Sequence, residues 1–386
     1  MASVTRRSVL IGGGGAVAAV GVASLGVSLY RRANPPSAPI GFAVSPEQLA
    51  AARDLMARHP SIDAHAHPGR TFVDGAQNLS GLMWIYAHLG HFEDQAVRDM
   101  REGGLSAAVF AAVSDFQTLG PQGEGLVTVR AFEPGEAWAS YQRQIAHLKA
   151  LSQRGLVFPV LSVEDIEAAR RAGKPGALLS VEGGDFLEGK PERVAQAFSD
   201  GVRSITLMHY RNNELGDTIT GEAVHGGLSA AGSAVVKAMN ATGMLVDVAH
   251  ASEATVRGVL RATSKPLIAS HVHLQTRGLS HPRFISPNLA RSVAAQGGGV
   301  VGAWPAGIGI SDLEGFVHRT RELIEVVGID HVCLGTDMDA NYKPVLDNYT
   351  KLPLYVAGLQ QQGLREEDIA KLIGGNVMRL LAAQAA

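Results

Sequence analysis

From residue 62 onward the hydrophobic positions gather into eight short apolar runs, rich in β-branched residues and closed by Gly, Pro or a polar residue. They are Ile62–His67, Ala107–Val113, Ala177–Glu182, Ser204–His209, Met244–His250, Pro266–His271, Gly299–Trp304 and Val332–Asp337. Near-continuous apolar character predicts strands covered on both faces, which is the signature of a parallel sheet. Between them apolar residues recur at helical spacing over Glu192–Ser199, Ala230–Asn240, Glu253–Ala262, Asn288–Gln296 and Leu313–Val327, and Glu366–Ala383 closes the chain in the same way. Ahead of the first run, Ser45 and Glu47 mark the start of a helix over Pro46–Met56. Strand followed by helix, eight times over, predicts an α/β fold, a (β/α)8 TIM barrel. The gap from Ser114 to Gly176 must hold an extended loop and a long helix around Tyr141–Arg154.

An open doubly wound sheet would need a dinucleotide turn. Gly297–Gly302 fits G-x-G-x-x-G in spacing but leads into a strand, where the motif should leave one for a helix. A serine hydrolase would need a G-x-S-x-G elbow, and the chain has none.

The first forty residues follow a different pattern. Arg6-Arg7 precedes an uncharged Gly- and Ala-rich run from Ser8 to Tyr30, and Arg31-Arg32 follows it. Residues 1–32 therefore read as a twin-arginine-type signal peptide or a membrane anchor. Residues 33–44, with prolines at 35, 36 and 39, read as a linker, and residues 45–386 as the barrel. The expected location is the periplasm, free or anchored to the membrane and facing it. A net charge of −2 on 386 residues leaves no footprint for nucleic acid. Cys333 is the only cysteine, so an intrachain disulfide is excluded and the residue reads as core. Any metal must then be held by histidine and carboxylate, which suit zinc or a similar divalent ion.

Barrels of this kind build their sites from the carboxyl ends of the strands. The first run ends in His65-Ala66-His67, and residues i and i+2 of a strand share a face, so both imidazoles can aim at one point. The third run ends at Glu182, the fourth at His209, the fifth at His250, the sixth at His271 and the eighth at Asp337. Five ligands (His65, His67, Glu182, His250 and His271) exceed what one zinc ion takes. The expectation is two Zn2+ ions, or another divalent metal, with Glu182 as the bridge and a water between them activated to hydroxide. Asp337 is expected to shuttle the proton. The remaining nine histidines fall on helices, loops or strand starts and are assigned structural or surface roles.

These residues sit within a longer ordered set: Asp63-x-His65, Ser180-Val181-Glu182-Gly183, Leu207–Asn213, Asp247-Val248-Ala249-His250, Ser270-His271, His281-Pro282-Arg283, Gly335–Asp339 and Gly374-Gly375-Asn376. The set resembles the renal or membrane dipeptidase family, a branch of the metal-dependent amidohydrolases, over nearly the whole chain after the signal. The resemblance implies that His65, Glu182, His250 and His271 are zinc ligands and that Asp337 is catalytic. It also implies that His209 polarises the substrate carbonyl and that Arg283 binds the carboxylate of a dipeptide, which suits its planar fork. In one departure, His67 stands where the family carries Asp, making the site one unit more positive; in another, Phe284 replaces the Asn after the arginine. The expected function is an exported binuclear-zinc dipeptidase acting on dipeptides with a free carboxylate. Its alternatives are another amidohydrolase, acting on an amide, lactone or ester, and a metal-retaining binding or maturation protein. The partner is a small dipeptide, a membrane is met only through the N-terminal segment, and a homodimer is one option for assembly.

Overall fold

A computed structural model describes residues 37–385 apart from Glu124. The expected export segment, residues 1–32, and the first residues of the linker lie outside the described residues.

Eight parallel strands close into a barrel: β1 (Ile62–Ala66), β2 (Ala107–Val113), β3 (Gly176–Glu182), β4 (Val202–Thr206), β5 (Leu245–Asp247), β6 (Ile268–Leu274), β7 (Val300–Ala303) and β8 (Val332–Leu334). Each pairs with the next in chain order, and β8 returns to β1 through Asp63 opposite Leu334. The doubly wound alternative is thereby excluded, because a closed ring has no edge strands. Ile62, Val109, Leu178, Leu245, Ile268 and Cys333 join one buried cluster contributed by different strands, so the barrel is packed with side chains. Burial pushes the Cys333 thiol well up, in keeping with a core role.

Three strands carry an extra residue: Arg203 bulges β4 against β3, and the other two extra residues lie at the site. Between β1 and β2 the pairing runs Asp63 to Ala108 and then Ala66 to Phe110, which bulges β1 at Ala64-His65. Between β7 and β6 it runs Val301 to Ala269 and then Ala303 to Val272, which bulges β6 at Ser270-His271. A bulge re-aims a side chain, and at the site it re-aims a histidine in each case. Opposite the β6 bulge, a Cβ on Gly302 would lie 1.6 Å from the Ser270 carbonyl oxygen, and one on Gly335 would lie 1.8 Å from the same atom. Only glycine allows the β6 backbone to press inward there.

The helices at Glu192–Ser199, Glu253–Ala262 and Leu313–Val327 have their expected bounds. Ser45, Ser229, Ser252, Ser286 and Asp312 each cap a helix by accepting a backbone N–H three residues on. The long gap holds a hairpin (Leu119–Gln122 and Gly125–Thr128), the helix Glu136–Gln153 and a second helix, Val163–Arg171. The closing helix differs from expectation, since it is interrupted by a π turn at Lys371–Gly375. There Gly374 passes so close to the Pro60 carbonyl that a Cβ would lie 2.1 Å from it, and the Asn376 amide donates to the carbonyls of Ile329 and Val332, both at 2.8 Å. Another helix, Leu352–Gln361, escaped the periodicity because seven of its ten residues are buried, leaving no polar stripe to detect. Residues 38–40 lie along the barrel, with Pro39 and Ile40 carbonyls accepting from Leu313 and Glu314.

Candidate metal centre and active site

At the carboxyl end of the barrel, Glu182 stands in a ring of imidazoles. Its Oε1 lies 3.4 Å from His65 Nε2, 3.1 Å from His250 Nε2 and 3.5 Å from His271 Nε2. Its Oε2 lies 3.4 Å from both His67 Nε2 and His209 Nε2. One carboxylate thus presents each oxygen to a different set of nitrogens. His67 Nε2 is also 3.4 Å from Asp337 Oδ1, and His65 and His67 meet Nε2 to Nε2 at 3.2 Å. All of these side chains are buried, Asp337 being the most open with 12% of its side chain exposed.

Not every residue stands where strand periodicity put it. His209, His250 and Asp337 lie beyond their strands, which stop three residues earlier at Thr206, Asp247 and Leu334. His250 and Asp337 also take left-handed backbone conformations, φ 66° and 55°. Such conformations cost about 1–3 kcal/mol each and persist where the surroundings enforce them. For His250 the enforcement is visible: its carbonyl accepts from Ile219 N–H (2.7 Å) and lies 3.0 Å from Thr218 Oγ1. For Asp337 it is the bond from its own N–H to the His65 carbonyl (2.8 Å). Asp339 stays out of the cluster because the chain has left the strand and both Asp337 and Asp339 are left-handed, and it pins the turn after His67 by accepting from Gly69 N–H at 2.7 Å. Burial pushes its carboxyl up to about 6.

Two of the expected ligand imidazoles, His67 and His271, are oriented from behind, whereas His250 Nδ1 has no hydrogen-bond partner. His67 Nδ1 donates to the Ala111 carbonyl (2.9 Å), and His271 Nδ1 meets Ser270 Oγ (2.9 Å), which itself donates to Asp247 Oδ2 (2.6 Å). Asp247 gathers Thr206, Ala249 and Ser270 and so ties the ends of β4, β5 and β6 together. Asp63 does the same between β1 and the segment after β8, accepting from Thr336 and Tyr349. Engaging the rear nitrogen leaves Nε2 facing inward, which is how metal-binding histidines are held.

The electrostatics favour a metal. Burial above all, with the Arg283 guanidinium beside His250, holds His250 and His271 well below the usual imidazole range, so both are neutral. Their Nε2 atoms nonetheless lie 3.0 Å apart. One proton at most can sit between two neutral rings, so lone pairs are left crowded around an ionised carboxylate. Burial opposes ionisation of Glu182, but the field of His209 and His65 overrides it. A donor set of neutral imidazoles and carboxylates converging at such distances fits one or more divalent cations.

His67 behaves differently from its neighbours. Burial pulls it down, yet its hydrogen bonds to Asp337 and Glu182 prevail and raise it to about 10. In the metal-free protein it therefore carries a proton at neutral pH, which a metal must displace. Zinc uptake at pH 7–8 is expected to release about one proton more than in His67→Asp, and wild-type affinity should rise toward pH 10. Calorimetric titration in two buffers of different ionisation heat measures the proton count; equal counts in both proteins would remove His67 from the ligand set.

The second and seventh strands, from which the sequence reading took no site residue, both contribute. Two residues past β2, Asp115 accepts from His209 Nδ1 (2.6 Å) and from the Tyr210 backbone N–H (3.1 Å), fully buried. Burial works against a charged His209, but Asp115 and Glu182 raise it on balance. Just past β7, Trp304 lies against His271, ring centroids 5.9 Å apart. Neither residue belongs to a recognisable motif. Their only signal was position at a strand end.

Arg283, from the loop after β6, reaches the centre and donates from Nη2 to His250 Nε2 at 2.8 Å. That lone pair can serve this donor or a metal, not both, so metal uptake at His250 frees the guanidinium. The sequence pattern of the membrane dipeptidase family, peptidase family M19, matches residues 49–386. The chain belongs to this family. It is a metal-dependent dipeptidase, and among curated proteins it is 27% identical over 353 residues to dipeptidase verJ of Clonostachys rogersoniana, with 88% of each chain covered. Over a shorter span of 227 residues it is 31% identical to dipeptidase tcpJ of Claviceps purpurea, covering 56% of this chain and 53% of that one. Its fold matches the probable dipeptidase PvdM of Pseudomonas aeruginosa, with TM-score 0.72 at 18% identity over 88% of this chain and 99% of that one. It also matches a Rhodobacter sphaeroides metallopeptidase, with TM-score 0.68 at 20% identity over 84% and 99%.

Proposed function

We propose that this dipeptidase works with two divalent ions, zinc by preference, and that its substrates are dipeptides with a free carboxylate. The observation that carries the reading is the two-sided environment of Glu182, one oxygen toward His65, His250 and His271 and the other toward His67 and His209. His65, His67, Glu182, His250 and His271 would hold the ions. When bound, such ions acidify water and polarise a carbonyl. The chain's own residues do the rest. Asp337, the most exposed carboxylate of the site, takes a proton from the attacking water and returns it to the leaving amine. His209, held by Asp115, donates to the scissile carbonyl oxygen as charge builds there. Arg283 receives the terminal carboxylate through paired N–H donors. The R. sphaeroides relative was crystallised with a phosphinate mimic of the dipeptide L-Ala-D-Ala, which agrees with a site for a small tetrahedral species next to a carboxylate.

The N-terminal pattern supports export, with the barrel acting outside the cytoplasm. No helix among the described residues is long and apolar enough to cross a membrane.

A panel of dipeptides, assayed beside the same amides lacking the terminal carboxylate, tests the substrate reading. Hydrolysis should stop with chelator, return with zinc, and fall at least about tenfold when the carboxylate is removed. Equal rates on both sets would contradict it and favour a broader amidohydrolase.

A further inference from the structure

Trp304 follows the last residue of β7 and is 4% exposed. Its indole Nε1–H is buried and has no hydrogen-bond partner. The ring is bounded by His271, by His273 at 5.6 Å and by the Arg283 guanidinium, whose central carbon lies 5.1 Å from the ring centroid. Arg283 is itself 3% exposed, and its Nε–H also lacks a partner. Among the described residues no carboxylate pairs with it. Buried N–H groups are seldom left without an acceptor, and two neighbouring ones beside an unpaired cation are rarer still. The arrangement suits an anion that arrives with the ligand. Metal uptake at His250 would release Arg283 Nη2 as well and add a third donor next to the same indole.

We propose that Trp304 is a substrate-binding residue whose indole N–H donates to the terminal carboxylate held by Arg283. The carboxylate is then recognised at two points, one charged and one neutral and directional. The proposal rests on the free-carboxylate reading above. It adds a residue from a strand that supplies no metal ligand, which separates substrate recognition from metal binding.

Trp304→Phe keeps an aromatic ring under the guanidinium and removes the N–H. On alanyl-alanine its KM should rise about tenfold, with kcat within about twofold, because a hydrogen bond to a charged group is lost from ground and transition state alike. On alanyl-ethylamine, which has no carboxylate, wild type and variant should match. A second readout uses the wild-type, metal-loaded protein and does not depend on the variant's folding. With indole nitrogens labelled, excess alanine, the product that carries the carboxylate, should move the Trp304 N–H resonance downfield. Ethylamine should not, and in Arg283→Met the alanine effect should vanish. An unchanged KM, or a raised KM with a resonance that alanine leaves in place, overturns the proposal. Wild-type hydrolysis of alanyl-ethylamine as fast as alanyl-alanine would instead overturn the free-carboxylate reading itself.

Discussion

Glu182→Gln is expected to abolish dipeptide hydrolysis, by about a thousandfold or more, while the barrel stays folded. The carboxylate is buried at the centre of five histidines and is the single acidic group that faces all of them. Glutamine has nearly the same volume but no charge, and its amide nitrogen cannot ligate a cation. One of the two inward-facing oxygens becomes a donor pointed at imidazole nitrogens. A metal centre stabilises charge in the transition state by several kcal/mol, and each 1.4 kcal/mol is about tenfold in rate. Activity and metal content should fall together in the variant, whereas its circular dichroism should not change. Stability of the metal-free variant should fall, because the imidazoles beside Glu182, His67 and His209 among them, lose the carboxylate that offsets their burial. Retained metal with lost activity would mean that Glu182 acts on the substrate and not on the ions.

Asp115→Asn is expected to lower kcat by about 10–100-fold with little change in metal content. Asp115 holds His209 through Nδ1 and the next backbone N–H, so it sets both the orientation and the tautomer of the imidazole. Asparagine can keep one of these bonds but not the charge that raises His209. With the charge gone, His209 loses its proton at lower pH, so the alkaline limb of the kcat profile should move toward acid. Asp185 complicates the neighbourhood, since burial and Asp115 push its carboxyl up to about 7 and Arg211 pairs with it at 3.1 Å. Removing the Asp115 charge should lower Asp185 at the same time. Parallel kcat and KM measurements from pH 5 to 10 separate positioning from binding: a change confined to KM would contradict the assigned role.

Much of this architecture could be read from the chain because buried parallel strands have so little compositional freedom. Each barrel strand appeared as an apolar run, and His65, Glu182 and His271 lie within strands, where a chemical residue at the end of an apolar run is conspicuous. The strand ends were less legible. His209, His250 and Asp337 stand three residues beyond β4, β5 and β8, in segments tied by long-range bonds such as those of Asp247 with Thr206 and Ser270 and of Asp63 with Thr336. Local sequence carries no record of such bonds. Asp115 read as an ordinary loop residue and Trp304 as strand core. What marks them is a partner 94 positions away for the first and an unpaired N–H for the second. The convergence of His65 and His271 depends on two bulges, and a bulge leaves only a register shift that pairing reveals.

The central claim is a two-ion centre bridged by Glu182. Its most direct test is elemental analysis of protein purified without chelator, with dipeptide hydrolysis followed on the same sample as metal is withdrawn and restored. The account predicts about two divalent ions per chain and activity that rises only as the second is added. Full activity with one ion per chain, or with none, would contradict it.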